Sequence, residues 1–124
     1  MSAQPDFWLL PDAVYDGAHL RSGHALGVLG DRTTVVLDGQ NMPRQARIWR
    51  LSGILTRGFL DLQVNGGGDA LLNNDQSVAA LQAMAAAHRR FGTVGILPTV
   101  ITDAPEVLDR AVSATIAARG SKGL

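Results

Sequence analysis

The chain has 124 residues, 46% hydrophobic and 18% charged, and its 11 Lys+Arg balance 11 Asp+Glu for a formal net charge of zero. This is the composition of a folded globular protein, and it lacks the basic excess that a nucleic-acid or anionic-membrane surface needs. There are no cysteines, which removes disulfides, thiolate zinc sites and cysteine nucleophiles.

The longest apolar runs fall well short of the roughly 20 residues that span a bilayer. The opening "MSAQPDFWLLPD" has no basic segment before its short apolar run, so it does not read as a signal peptide. No nucleic acid and no membrane are expected as partners, and the cytoplasm is the expected compartment.

Up to about residue 55, short β-like runs alternate with turn residues: "FWLL" (7–10), "AVY" (13–15), "ALGVLG" (25–30), "TTVVLDG" (33–39) and "ARIWRL" (46–51). Asp16-Gly17, Ser22-Gly23, Gly30-Asp31 and Asp38-Gly39 mark the turns. Closely spaced short strands of this kind predict a small antiparallel sheet or half of a sandwich.

Beyond residue 55 the rhythm becomes strand, helix, strand, helix. A strand is predicted over 58–65, then a glycine-rich loop. A helix follows over 76–91, with Asp75 or Ser77 as its N-cap and Gly92 past its end. Its apolar stripe is Val78, Leu81, Met84, Ala85 and Phe91. The second strand is "TVGILPTVI" (93–101), where Pro98 removes a backbone donor and predicts a bulge or bend. The second helix has Asp103 and Glu106 at the spacing of a capping box, a stripe of Leu108, Ala111, Val112, Thr115 and Ile116, and Gly120 to end it. Such an order implies parallel strands. Two parallel strands alone leave edges and faces uncovered, and the final "ARGSKGL" reads as a lead into another strand, so the chain looks like the first part of something larger.

The stretch "FLDLQVNGGGD" (59–69) carries the chemistry. Side chains alternate faces along a strand, so Asp61, Gln63 and Asn65 share one face, and Leu60, Leu62 and Val64 the other. Gly66, Gly67 and Gly68 permit unusual backbone angles and close approach of a ligand. The plain reading is a wet strand face before a flexible loop; the functional one is a site wall. Gly66 and Gly68 also match the start of a phosphate-binding G-x-G-x-x-G, but Leu71 stands at the third glycine and the helix begins too late for that role.

"GILTRGFLDLQVNGGGD" (53–69), followed by "GILPTVIT" (95–102) and preceded by "VYDG" (14–17), resembles N-acetylglucosamine-6-phosphate deacetylase, of the amidohydrolase superfamily. One departure is Arg57, where the family usually has proline. The resemblance implies an α/β fold: residues 1–55 as the N-terminal part of a small β-sandwich, and residues 56–124 as the first two βα units of a (β/α)8 barrel. It implies hydrolysis of the acetamide of N-acetylglucosamine 6-phosphate to acetate and glucosamine 6-phosphate, an amino-sugar phosphate as the small-molecule partner, and a homo-oligomer.

Many amidohydrolases carry a metal-binding His-x-His on the first barrel strand, and here Gln63 and Asn65 stand in its place. A carboxamide is a poor zinc ligand beside imidazole or carboxylate, so the resemblance implies a single divalent metal, zinc, held elsewhere in a longer enzyme. Gln63 would hold the metal-bound water, and Asn65 would bond to nearby groups. Gly66, Gly67, Asp61 and Thr99 would line or support the site, with Thr99 and Thr102 either facing it or capping the next helix. The family's metal-binding glutamate motif, its later histidines and its general-base aspartate have no match here, so the chain by itself is expected to be inactive and metal-free. His19 and His24 read as surface residues and His88 as a packed or capping histidine. Two alternatives stay open: a non-catalytic binding or assembly module, and an amidohydrolase for another amide.

Overall fold

The computed structural model describes residues 4–121. The first three residues of the opening stretch and the closing "KGL", which was read as leading into a further strand, lie outside the described residues. The fold is mixed α/β and divides into two compact units, Met1–Arg57 and Gly58–Leu124. Among the described residues no helix is long and apolar enough to cross a membrane.

The first unit contains β1 (Phe7–Leu10), β2 (Ala13–Tyr15), β3 (Leu20–Ser22), β4 (His24–Leu29), β5 (Arg32–Asp38), β6 (Ile48–Arg50) and β7 (Ile54–Leu55), with a 3-10 turn at Gly39–Asn41. One sheet has the order β5-β4-β1-β6 and the other β3-β2-β7. The expected antiparallel pairing holds for β1–β4, β4–β5 and β2–β3. Two pairings are parallel, β1 with β6 and β2 with β7, so both sheets are mixed. The reason is a doubled corner. The chain leaves one sheet at Leu10 to start the other at Ala13, and later repeats that path alongside itself from Arg50 to Ile54.

Leu51 N–H donates to the Leu10 carbonyl at 3.0 Å, and Asp12 accepts from Gly53 N–H at 2.7 Å. These bonds hold the two passes of the corner together. Trp8, Ala25 and Val28 from one sheet and Ala13 and Val14 from the other are buried. Phe7 stacks on Trp49 at 4.8 Å between ring centroids, and the Arg47 guanidinium lies 5.6 Å from the Trp49 ring. β3 and β7 escaped the sequence reading: β3 has a single apolar residue, Leu20, and β7 is two residues long.

The second unit contains β8 (Phe59–Val64), the short hairpin β9 (Gly66–Gly67) and β10 (Ala70–Leu71), α1 (Val78–Arg89), β11 (Thr93–Pro98) and α2 (Pro105–Ala118). β8 and β11 are parallel, with a register shift between Ile96 and Pro98 where proline predicted a bend. Helix α1 starts at Ser77, whose hydroxyl accepts the Ala80 N–H at 3.0 Å, a cap contributing about 1 kcal/mol.

The core comprises Val64 and Ile96 from the strands, Leu72, Leu81, Met84 and Ala85 from α1 and the segment before it, and Ala111, Ala114 and Ala118 from α2. Two expected stripes are corrected. Phe91 lies beyond α1 and is 81% exposed. On α2 the buried row is alanine at spacings of three and four, which lets the helix sit close to the sheet, and Val112 and Ile116 face outward. The capping box is also absent. Pro105 opens α2 after Ala104, while Asp103 accepts from the Ala104 N–H and from Asn73. Finally, the supposed apolar face of β8 is covered only at Val64; Leu60 and Leu62 are 69% and 70% exposed.

Candidate functional site

The carboxyl end of β8 is tied to that of β11 by three residues. Thr99 N–H donates to the Val64 carbonyl at 2.8 Å. The Asn65 side chain donates through Nδ2 to the Thr99 carbonyl at 2.9 Å, and the Asn65 carbonyl accepts the Leu72 N–H at 2.9 Å. Asn65 is therefore a half-buried bridge whose carboxamide nitrogen is committed to structure. Gln63, two residues earlier, is exposed, and its carboxamide offers both a donor and an acceptor to a ligand.

The glycine run forms a hairpin, a more ordered arrangement than the flexible loop of the plain reading. Gly66 and Gly67 pair with Leu71 and Ala70, and the turn residues Gly68 and Asp69 have φ of 61° and 63°. Positive φ at both central residues is what a type I′ turn demands, and Gly-Asp meets it. Asp69 is the one non-glycine with positive φ among the described residues. A Cβ at Gly66 would stand 2.6 Å from the Ala70 carbonyl oxygen, and one at Gly67 2.9 Å from the His88 imidazole. The glycines thus serve close packing of the hairpin against itself and against α1.

Asp61 is half-buried. It accepts its own neighbour's N–H, from Gln63, at 3.2 Å and lies 3.7 Å from His88 Nδ1. Thr99 turns its hydroxyl back onto the Leu97 carbonyl at 3.1 Å. Gln63, Asn65 and Thr99 accordingly meet at one end of the strand pair, Gly66 and Gly67 border them, and Asp61 supports the strand behind. His88 is half-buried and packed on the hairpin; His19 is exposed, and His24 is held by the Ser22 carbonyl through Nδ1.

Sequence reasoning missed a second tie at the same end of the unit. Asn73 donates to the Ile101 carbonyl and to Asp103, each at 2.9 Å, and accepts the Ile101 N–H at 2.9 Å. Gln76 donates to the Leu72 and Asn73 carbonyls and accepts from Arg110 at 3.0 Å. The bond from Asn73, followed by that from the Ala104 N–H, holds the Asp103 carboxyl below the usual carboxylate range. Nothing in the local sequence around Asn73 signals a partner in the loop after β11. An apolar groove runs from Leu72 and Pro98 along α2 past Val100, Val112 and Ile116, with little polarity to direct a ligand.

No family model matches the chain. A 63-residue segment is 51% identical to an N-acetylgalactosamine-6-phosphate deacetylase of Shewanella sp. (strain ANA-3), covering 51% of this chain and 16% of that protein. A 58-residue segment is 41% identical to an N-acetylglucosamine-6-phosphate deacetylase of Haemophilus influenzae, covering 47% and 15%. The structure of the Pasteurella multocida N-acetylglucosamine-6-phosphate deacetylase superposes with a TM-score of 0.83 at 31% identity, over 93% of this chain and 31% of that one. The Mycobacterium smegmatis enzyme superposes with a TM-score of 0.78 at 28% identity, over 90% and 31%.

The chain thus spans about a third of the solved structures, and its aligned segments about a sixth of the curated relatives. In sequence over half its length and in fold over nine-tenths of it, this chain is similar to the N-acetylglucosamine- and N-acetylgalactosamine-6-phosphate deacetylases, hydrolases of the amidohydrolase type.

Proposed function

We propose that the complete polypeptide carrying this chain hydrolyses the acetamide of an N-acetylhexosamine 6-phosphate, releasing acetate and the amino-sugar phosphate. The observation that carries this reading is the superposition on the Pasteurella multocida deacetylase over 93% of the chain. Support also comes from a Mycobacterium smegmatis variant, solved in complex with N-acetyl-D-glucosamine-6-phosphate, that superposes with a TM-score of 0.77. In this reading residues 1–55 are the N-terminal part of a β-sandwich and residues 56–124 the first two βα units of a (β/α)8 barrel, whose active site gathers at the carboxyl ends of the strands. The cytoplasm and a homo-oligomer go with it.

The roles open to this chain's residues are binding and orientation. Gln63 holds the reacting amide or its attacking water through an uncommitted carboxamide. Asn65, its nitrogen bound to Thr99, presents its oxygen as an acceptor in a fixed direction. Gly66 and Gly67 let the hairpin pack closely beside these two carboxamides.

A divalent metal, zinc in the sequence-based expectation, polarises such a carbonyl and activates water. Among the described residues no cluster of three or more His, Cys, Asp or Glu is placed to hold one, and the carboxamides of Gln63 and Asn65 are weak donors to such an ion. These residues do not fit a metal's ligand set, and no step is assigned through the metal.

The test is acetate release by the complete polypeptide from N-acetylglucosamine 6-phosphate and N-acetylgalactosamine 6-phosphate. Both are needed because relatives named for each sugar match the same chain. Turnover of either is expected; none of either, with metal supplied, overturns the reading. An amidohydrolase for another amide would then emerge from a wider substrate screen. The 124 residues alone are expected to be inactive, and zinc-dependent acetate release from them would contradict that.

A second reading rests on the bare strand face. Among the described residues β8 and β11 pair only with each other, which leaves a strand edge on each side for another chain to complete, and Leu60, Leu62, Val94 and Leu97 are exposed on them. A cooperatively folding oligomer of the 124 residues would favour this assembly module; a monomer or an aggregating chain counts against it.

A further inference from the structure

One imidazole touches both ends of the segment that presents Gln63 and Asn65. His88, in the last turn of α1, lies with Nε2 3.0 Å from the Gly66 carbonyl oxygen and Nδ1 3.7 Å from the Asp61 carboxylate. A carbonyl oxygen can only accept, so Nε2 carries a hydrogen and donates it. Gly67 passes so close that a Cβ there would stand 2.9 Å from Nε2, and a Cβ on Gly68 would stand 3.1 Å from the Ala83 carbonyl oxygen. Helix α1 is therefore seated directly on the hairpin, with His88 as the polar contact between them.

We propose that His88 is a positioning residue, a staple across residues 61–66 that fixes the direction of the Gln63 and Asn65 carboxamides. The bond to Gly66 stops the strand end from sliding along the helix, and when the imidazole is protonated its Nδ1–H faces the Asp61 carboxylate and fixes the strand four residues upstream of Asn65. Between the two anchors the backbone has little freedom, so the two carboxamides keep one orientation. The role in turnover rests on the reading of this strand end as the wall of a deacetylase site; the staple itself does not.

The test compares His88→Gln with His88→Met. Glutamine places a donating nitrogen almost as far out as Nε2, whereas methionine fills a similar volume with no donor. In the complete polypeptide, His88→Met is expected to lower kcat by about 10- to 100-fold with little change in KM, as loss of an outer supporting contact does. His88→Gln should restore most of that loss. Equal kinetics for the two variants, or full kcat in His88→Met, overturns the proposal.

A measurement on the unsubstituted protein covers the case in which a variant does not fold: the imidazole 15N shifts should show hydrogen on Nε2, and a bare Nε2 overturns the staple. Amide exchange at Leu72, whose N–H is bonded to the Asn65 carbonyl, should quicken in His88→Met and stay slow in His88→Gln. Should the unsubstituted polypeptide release no acetate from either sugar phosphate, the functional reading fails, and the nitrogen shifts and exchange rates alone decide the staple.

Discussion

The two units secure their loops with a different balance of chemistry, although the second also has aspartates that accept backbone N–H groups, at Asp61, Asp75 and Asp103. In the first, aspartates accept backbone N–H groups at successive turns: Asp6 from Gly30, Asp12 from Gly53, Asp16 from Ala18 and His19, and Asp38 from Gln40. In the second, carboxamides donate to carbonyls across the strand ends: Asn65 to Thr99, Asn73 to Ile101, Gln76 to Leu72 and Asn73. A carboxylate accepts only, and it depends on staying ionised; a carboxamide both donates and accepts and is neutral at any ordinary pH. The first unit thereby acquires a sensitivity to acid that the Asn65 bond to Thr99 avoids.

The largest expected effect lies in the core that holds the second unit's strands. Leu81 is fully buried between α1 and the sheet. Leu81→Ala should cost about 2–5 kcal/mol, read as a drop in the urea midpoint with an unchanged slope. A loss near zero would mean that the loop ties, and not the alanine-lined core, hold the unit.

Asn73→Ala should cost about 1–2 kcal/mol by removing its bonds to the loop after β11. It should also raise the Asp103 carboxyl toward its ordinary value, since the bond from Asn73 is the leading cause of its depression. An NMR titration of Asp103 that does not move would show the tie to be incidental.

Acid makes the sharpest contrast and the smallest change. The N–H of His19, then Arg21 at 2.6 Å, then the N–H of Ala18 hold the Asp16 carboxyl well below the usual carboxylate range. Its folded value is depressed, so its stabilisation is complete above the unfolded value of about 3.9 and disappears as pH falls from there through the lower folded value. The β2–β3 hairpin should loosen across that window while the Asn65 bond to Thr99 persists, which amide exchange at Ala18 and Thr99 would separate. Because the backbone N–H leads, Arg21→Gln should raise the Asp16 value and still leave it below normal.

Legibility followed the range of the interaction. Ser77 and the four-residue spacing of Leu81 and Ala85 announced α1, since cap and stripe are local patterns. Pro98 announced its own register shift, and the alternation in 59–65 brought Gln63 and Asn65 to one strand end. Asp103 misled because a capping box is a pattern shared with any aspartate that finds another partner, here Asn73 in a different loop. Val112 and Ile116 misled because periodicity counts apolar size, whereas a helix that approaches a sheet closely buries its alanines. The hairpin at Gly66–Leu71 and the seat of His88 were invisible, for both depend on which helix face arrives over the glycines.

The doubled corner of the first unit has a consequence for the order of events in folding. β1 and β2 each gain a parallel partner only when β6 and β7 arrive, Trp8 beside Ile48 and Val14 beside Leu55. The hairpin of β4 and β5 closes over a short loop, but the corner needs contacts between residues far apart in the chain, and such contacts slow the search for the native state. A ribosome would have to release the chain through Arg50 before the first sheet of this unit could be finished, and through Leu55 before the second. The Asp12–Gly53 bond is thus a late event in folding, made when the second pass of the chain settles beside the first.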